Sequence, residues 1–166
     1  MLLVNLSGGL HTGKSTVAAA VYAYLKTRGV SAVLIGEDRK NLAPFQSPLL
    51  MNHVHEVGRM YDLMQQAQNL DYDVAIAEAP LSLMAAYSYG QPYHAQLRGL
   101  VEVIDSQFPN SFNVFIRREQ DNKQADTWDS RALDFMPSVQ YATYGPKAEE
   151  ISEVVFHRFQ MQKESA

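Results

Sequence analysis

The stretch Gly8-Gly9-Leu10-His11-Thr12-Gly13-Lys14-Ser15, with Thr16 behind it, matches the pattern G-x-x-x-x-G-K-[ST] of a phosphate-binding P-loop. Its context fits the motif, because the apolar run over 2–6 predicts a buried strand before it and residues 17–28 predict a helix after it. In such a loop, backbone N–H groups and the helix N-terminus converge on one concavity and bind a polyphosphate. The sequence therefore predicts a nucleotide site near residue 10.

The motif assigns a task to each of its residue types. Gly8 and Gly13 are required because a Cβ would block a positive φ or crowd the phosphate. Lys14 is expected to reach the β- and γ-phosphates, and the Ser15 hydroxyl to ligate Mg²⁺. Thr16 is expected to contact the α-phosphate. The remaining loop residues, which are expected to line the phosphates, are Gly9, Leu10, His11 and Thr12.

Composition limits the class of protein. The chain has 166 residues, of which 46% are hydrophobic and 19% charged, so one domain over 1–166 is expected. A net charge of −4 disfavours a wide basic surface for nucleic acid or anionic lipid. The absence of cysteine excludes disulfides, thiolate zinc sites and thiol nucleophiles. The first residues lack a basic leader and no long apolar run follows, so a cytoplasmic address without a membrane partner is expected.

Strand and helix patterns alternate along the chain. Further strands are predicted at 31–35, 73–77, 112–116 and 139–144, and helices at 52–69, 81–89, 97–108, 131–136 and after Pro146. The 52–69 helix is expected to bury one apolar stripe, consisting of Val54, Val57, Tyr61, Met64, Ala67 and Gln68. Residues 41–51 are predicted to be a loop over the site. The fold class predicted is α/β, a doubly wound three-layer sandwich around a mostly parallel five-stranded sheet.

Acidic residues follow two of the predicted strands, at the edge where open α/β sheets bind ligands. Glu37 follows the second strand. If the bound nucleotide donates a phosphoryl group to a hydroxyl, Glu37 is expected to hold that acceptor hydroxyl or take its proton, with its neighbour Asp38 as the competing candidate. Arg39 is the candidate for an acceptor phosphate. Glu78 follows the third strand and is expected to bind Mg²⁺ or the acceptor. For each carboxylate the alternative is structural, a solvated loop residue for Glu37 and a salt bridge for Glu78.

Cations follow the fourth strand in a polar segment, 117–131, that is predicted to be a lid. One or two of Arg117, Arg118, Lys123 and Arg131 are expected to contact the transferring phosphoryl group, and surface charge is the alternative. Trp128 in this segment either stacks on a base or packs the lid on the body.

The histidines form no metal or catalytic pattern, and the guanine-reading Asn-Lys-x-Asp of GTPases is absent.

With the P-loop, the acidic ends of strands two and three, and the arginines after strand four, the chain resembles the P-loop kinases of nucleosides and nucleotides. It is most similar to nicotinamide riboside kinase-like and phage-type deoxynucleotide kinase domains. The resemblance implies an ATP site at the P-loop, an acceptor pocket between strands two and three, an arginine-bearing lid, and adenine near Gly145-Pro146-Lys147. For that tripeptide, a simple helix start is the alternative.

The chain departs from this family at one position. Many members carry Asp-Arg after strand three, where the Arg grips an acceptor phosphate, whereas this chain has Glu78-Ala79. A monophosphate acceptor would therefore need its positive charge from Arg39, Arg59 or Arg98.

The expected function is transfer of the γ-phosphoryl group of MgATP to a nucleoside, nucleotide or related acceptor. One alternative is a kinase for a hydroxyl of a polynucleotide, such as a modified base or a 5′ end, which the net charge disfavours. Another is a non-catalytic module in which ATP orders residues 41–51 for a partner. Both a monomer and an oligomer are compatible with the sequence.

Overall fold

The computed structural model describes residues 1–9, 11–37, 52–118, 130, 133–134 and 138–165. Several predictions lie outside these residues: the 41–51 loop, most of the 117–131 lid and of the 131–136 helix, and the positions Leu10, Asp38, Arg39, Lys123, Trp128 and Arg131.

The alternation of strands and helices is confirmed. The strands are β1 (Leu2–Ser7), β2 (Ala32–Ile35), β3 (Val74–Ala77), β4 (Ser111–Arg117) and β5 (Tyr141–Tyr144). The helices whose bounds fall within the described residues are α1 (Lys14–Thr27), α2 (His53–Asn69), α3 (Leu81–Tyr87), α4 (His94–Asp105) and α5 (Ala148–Glu164). Each strand lies within two residues of its predicted bounds, whereas α1 and α4 each begin three residues earlier than predicted and α4 also ends three residues earlier.

The five strands form one parallel sheet in the order β2-β3-β1-β4-β5. Strand β1 is central and pairs with β3 and β4, so Asn5 lies opposite both Ala77 and Asn113. Because all strands run in one direction, their carboxyl ends share one edge of the sheet. The segments that begin at Gly8, Gly36 and Glu78 all leave from this edge, as does Arg118 after β4.

Helices cover both faces of the sheet. Leu2, Val4 and Leu6 of β1 pack in a core that includes residues of α1 and α5, whereas Leu3 packs in a second core with residues of α2, α3 and α4. All six β1 residues are buried, as expected for a central strand of a sheet that is covered on both sides. The α/β prediction with a five-stranded parallel sheet is therefore confirmed.

The predicted apolar stripe of α2 is partly wrong. Val57, Met64 and Ala67 are buried as expected, but Val54 is 53% exposed, Gln68 is exposed and Tyr61 is only half-buried. The buried face instead includes His53, Glu56 and Met60. His53 and Glu56 are buried at a polar end of the helix, where His53 Nδ1 lies 3.0 Å from the Tyr93 hydroxyl and Glu56 pairs with Arg59. Polar partners thus take the place of apolar packing there.

Within the described ranges, no helix is both long enough and apolar enough to cross a membrane.

Candidate phosphate-binding site

The P-loop segment, residues 8–15, connects the end of β1 to the first turn of α1. Two of its glycines have positive φ angles, 148° at Gly8 and 85° at Gly13. A Cβ at Gly8 would lie 2.4 Å from the Ile116 carbonyl oxygen, and a Cβ at Gly13 would lie 2.6 Å from Cβ of Pro146. Both distances are far inside van der Waals contact, so only glycine fits either position. The obstruction comes from the protein itself, from β4 and from the turn before α5.

No side chain of the N-cap or of the first turn neutralises the positive partial charge at the N-terminus of α1. Gly13 is the N-cap residue, no side chain caps the helix, and the first turn contains no acidic residue. The first N–H groups of an α-helix have no partner within the helix and attract anions. The helix therefore presents the electrostatics of an anion site at the predicted phosphate position.

Lys14 lies across the P-loop segment. Its side chain is only 6% exposed, and Nζ donates hydrogen bonds to the carbonyl oxygens of Gly8 (3.0 Å) and Gly9 (2.7 Å). Thr12 Oγ1 also donates to Gly9 O, at 3.1 Å. These bonds hold the loop closed on itself and keep a buried ammonium group within it. A polyphosphate in the loop would therefore meet this charge directly.

Ser15 and Glu78, the two residues predicted to hold Mg²⁺, are in contact. Ser15 Oγ donates a hydrogen bond to Glu78 Oε1, although the two residues lie on different elements. Glu78 is buried, and its N–H donates to the carbonyl oxygen of Ile35 (3.0 Å), which fixes the end of β3 to β2.

This oxygen pair fits a magnesium ion. Hydroxyl and carboxylate oxygens are ligands that Mg²⁺ accepts, and Mg²⁺ usually keeps several waters while binding phosphate oxygens. In the described part of the chain, no three His, Cys, Asp or Glu residues gather as a metal cage. An ion held by Ser15 and Glu78 would therefore complete its coordination with water and phosphate.

The predicted acceptor side lies next to Glu78. Glu37 is half-buried and stands two residues after Ile35, which pairs with Ala77, the residue before Glu78. Gly36 is close to Glu78, since a Cβ on Gly36 would lie 3.8 Å from Glu78 Oε2. The structure thus brings Glu37 to the strand end beside Glu78.

Arg59 of α2 reaches the same edge. Its Nη2 donates to the Gly36 carbonyl oxygen at 2.8 Å and lies 3.7 Å from Oε2 of the buried Glu56. Arg98 is elsewhere, on the surface of α4, where its Nε pairs with Glu102 at 2.9 Å. Arg59 and Arg98 are the two described arginines that the sequence offered as a source of charge for an acceptor phosphate. Of these two, Arg59 reaches the strand end next to Glu78.

Arg117 and Arg118 are at the end of β4, on the same sheet edge as the P-loop segment. Arg117 is exposed, with its guanidinium carbon 5.7 Å from the Tyr144 ring centroid, and its carbonyl oxygen accepts from Gly145 N–H at 2.9 Å. Arg118 is half-buried and makes further contacts. These bonds link the start of the predicted lid to the Gly145-Pro146 turn beside Gly13.

Two features of the site are not predicted from the sequence. The packing of Pro146 on Gly13 joins distant parts of the chain, and no local signal indicates it. The buried polar face of α2 has a signal that could have revealed it: His53, Glu56 and Arg59 recur at a spacing of three, which places them on one side of a helix.

No protein-family model and no curated protein matches this chain. The function of the chain is therefore inferred from the residues of the site and their geometry. The features that matter most are the start of α1 without a side-chain cap, the buried Lys14 ammonium, and the contact between Ser15 and Glu78.

Proposed function

We propose that this chain is an ATP-dependent small-molecule kinase of the P-loop nucleoside and nucleotide kinase type. It would transfer the γ-phosphoryl group of MgATP to a hydroxyl or phosphate of a nucleoside, a nucleotide or a related acceptor. The observation that carries the proposal is the Ser15–Glu78 contact beside the buried Lys14, because it joins a magnesium ligand pair to a phosphate-binding loop.

The donor triphosphate would bind over the P-loop segment. Main-chain N–H groups of residues 8–15 and the start of α1 would bind the phosphate oxygens, with Thr16 at the α-phosphate. Lys14 would exchange its bonds to Gly8 O and Gly9 O for bonds to the β- and γ-phosphates. This exchange costs little, because the ammonium trades two carbonyl acceptors for charged ones.

Magnesium, when bound, neutralises charge on the β- and γ-phosphates. Ser15 and Glu78 are the residues that would hold it, and their present hydrogen bond would open to admit the ion. The Glu78 carboxylate is buried, so a nearby cation would lower the cost of keeping it ionised.

The acceptor would bind on the Glu37 side of the site. Glu37 would orient the acceptor hydroxyl or take its proton, with Asp38 and Arg39 next along the chain as further candidates. Arg59 would supply positive charge at Gly36, in place of the arginine that the family carries at position 79. Arg117 or Arg118 would stabilise the transferring group from the end of β4.

The test is an ADP-release assay with MgATP and a panel of nucleosides, nucleoside monophosphates and nicotinamide riboside. We expect one class to stimulate ADP release, and we expect the Lys14→Ala variant to lose that stimulation. Stimulation only by a DNA or RNA oligonucleotide would favour the polynucleotide kinase. Binding of MgATP with no stimulation by any acceptor would favour the non-catalytic module. An unchanged rate in Lys14→Ala would exclude the assigned donor site.

A further inference from the structure

A cavity of about 510 Å³ lies on the sheet face that is covered by α3 and α4, and none of the described P-loop residues lines it. Its floor is formed by β1 and β4, and its walls by the start of α3, the last turns of α4 and residues near 138–140. A volume of this size is typical of sites for small molecules and far exceeds the space of a single ion. The polar residues that define it are Asn5, Ser82, Asp105, Asn113 and Gln140.

The floor of the cavity is polar, although it lies within the sheet. Asn5 Nδ2 donates to Asn113 Oδ1 (2.8 Å), and Asn113 in turn donates from Nδ2 to Ser138 O (2.8 Å). The Gln140 side chain accepts from Asn113 N–H at 2.6 Å. Apolar residues would normally occupy two central strands at this depth. The amides are therefore held in a fixed arrangement by bonds to one another.

Two side-chain oxygens at the cavity have no bond to the rest of the described structure. Asn5 is 7% exposed and Ser82 is 4% exposed, yet neither Asn5 Oδ1 nor Ser82 Oγ bonds with another described residue. Asn5 lies on the same side of β1 as Leu3, whose core includes α3 and α4, so its side chain faces the cavity. Both residues line the cavity, so a molecule bound there could donate hydrogen bonds to these two oxygens.

The charged side chains that the described residues place at the cavity are predominantly acidic. Asp105 lines the cavity and makes no ion pair or hydrogen bond with a described residue, and burial raises its pKa to about 6. Among the described residues, the other charged groups that line the cavity are Glu102 and Arg98 of α4 and the exposed Asp134. Arg98 is paired with Glu102. Two carboxylates, those of Asp105 and Asp134, therefore have no described cation to balance them.

We propose that this cavity is a second ligand site, for a small organic cation of the ammonium or guanidinium class. The N–H groups of this cation would donate to the Asp105 carboxylate and to the side-chain oxygens of Asn5 and Ser82. The class follows from the excess of negative charge and of acceptor atoms, both of which favour a ligand with several donors. A metal ion is disfavoured, because no metal-ligand cluster occurs among the described residues.

The test uses butylguanidine and its neutral isostere N-butylurea, titrated into the ¹⁵N-labelled protein at pH 7.5. We expect butylguanidine to shift the side-chain amide signals of Asn5 and Asn113, and to bind at least tenfold more tightly than N-butylurea. The Asp105→Asn variant should lose at least tenfold in butylguanidine affinity. In the wild type, affinity should fall about tenfold between pH 7.5 and pH 5, as Asp105 is protonated, and this fall should be absent from Asp105→Asn.

Two variants complete the design. Ser82→Ala should weaken butylguanidine binding while keeping its pH dependence, because it removes an acceptor and leaves the charge in place. Lys14→Ala should bind butylguanidine as the wild type does, so a failure of the proposed kinase site would leave this result unchanged. No shift at Asn5 and Asn113, equal binding of the two probes, or an undiminished affinity in Asp105→Asn would each overturn the proposal.

Discussion

Gly13 and Pro146 pack against each other so closely that a methyl group on Gly13 would lie 2.6 Å from Cβ of Pro146. The contact joins the N-cap of α1 to the turn between β5 and α5. The shape of the P-loop segment therefore depends on the end of the chain as well as on its own sequence.

This contact predicts the order of three glycine-to-alanine variants. Gly13→Ala adds both a clash with Pro146 and a strained φ of 85°, whereas Gly29→Ala adds only the strain, since its surroundings are open. Gly99→Ala adds neither, and in a helix interior it should be neutral or stabilising by up to about 1 kcal/mol. Gly29→Ala should cost about 1 to 2 kcal/mol of unfolding free energy, and Gly13→Ala more.

Urea unfolding of the three variants measures these costs. Gly13→Ala should also lose nucleotide binding, while the other two keep it. A Gly13→Ala protein as stable as Gly29→Ala would show that Pro146 moves aside without penalty.

The contact between Ser15 and Glu78 predicts how activity depends on magnesium. Glu78→Gln removes the charge but keeps the shape, so the Mg²⁺ concentration for half-maximal turnover should rise about 10- to 100-fold. Excess Mg²⁺ should restore part of the rate. Glu153→Gln, at an exposed position of α5, is the matched control and should behave as the wild type does. The same Mg²⁺ dependence in both variants would contradict a metal role for Glu78.

The pair of Glu56 and Arg59 predicts a coupled effect on stability. Arg59→Met removes the cation next to a fully buried carboxylate and the bond to Gly36 O, so it should cost about 3 to 5 kcal/mol. Adding Glu56→Gln to Arg59→Met should recover part of this loss, because the buried charge is then absent. Thermal and urea unfolding of the single and double variants measure the coupling. Strictly additive costs would show that the pair does not interact.

Arg59 also predicts the specificity of the acceptor site. In the Glu56→Gln/Arg59→Met double variant, which we expect to be more stable than Arg59→Met alone, KM for a monophosphate acceptor should rise at least tenfold while KM for ATP is unchanged. Equal effects on both KM values would place Arg59 outside the acceptor site.

The raised pKa of Asp105 predicts that the difference in stability between Asp105→Asn and the wild type depends on pH. Burial raises the pKa of its carboxyl from 3.8 to about 6, so the folded state binds the proton more tightly than the unfolded chain does. Its unfavourable contribution therefore grows as pH rises from about 4 to 6 and is complete above pH 7. Asp105→Asn should be nearly as stable as the wild type at pH 4 and more stable by roughly 1 to 3 kcal/mol at pH 7.5.

Urea unfolding of the wild type and of Asp105→Asn across this pH range tests the prediction. All other groups titrate alike in the two proteins, so their contributions cancel when the two unfolding free energies are subtracted. A stability difference that is independent of pH would contradict it.

The sheet and the meeting of Ser15 with Glu78 could be predicted because both depend on local patterns and one topological rule. Apolar runs marked the strands, and parallel strands bring their carboxyl ends to one edge. The apolar stripe through Val54 misses the polar buried face of α2, since it assumes that only apolar residues face the core. The spacing of three between Glu56 and Arg59 places them on one side of the helix, but it does not show that this side is buried. The packing of Pro146 on Gly13 depends on tertiary structure alone.

The most direct test of the central claim is a calorimetric titration of MgATP into the purified protein. We predict saturable heat with one site in the wild type and in Lys26→Ala, an exposed position on the same helix. We predict none in Lys14→Ala, whose unfolding midpoint should stay within a few degrees of the wild type. An absence of heat in the wild type, or equal binding in Lys14→Ala, would contradict the account.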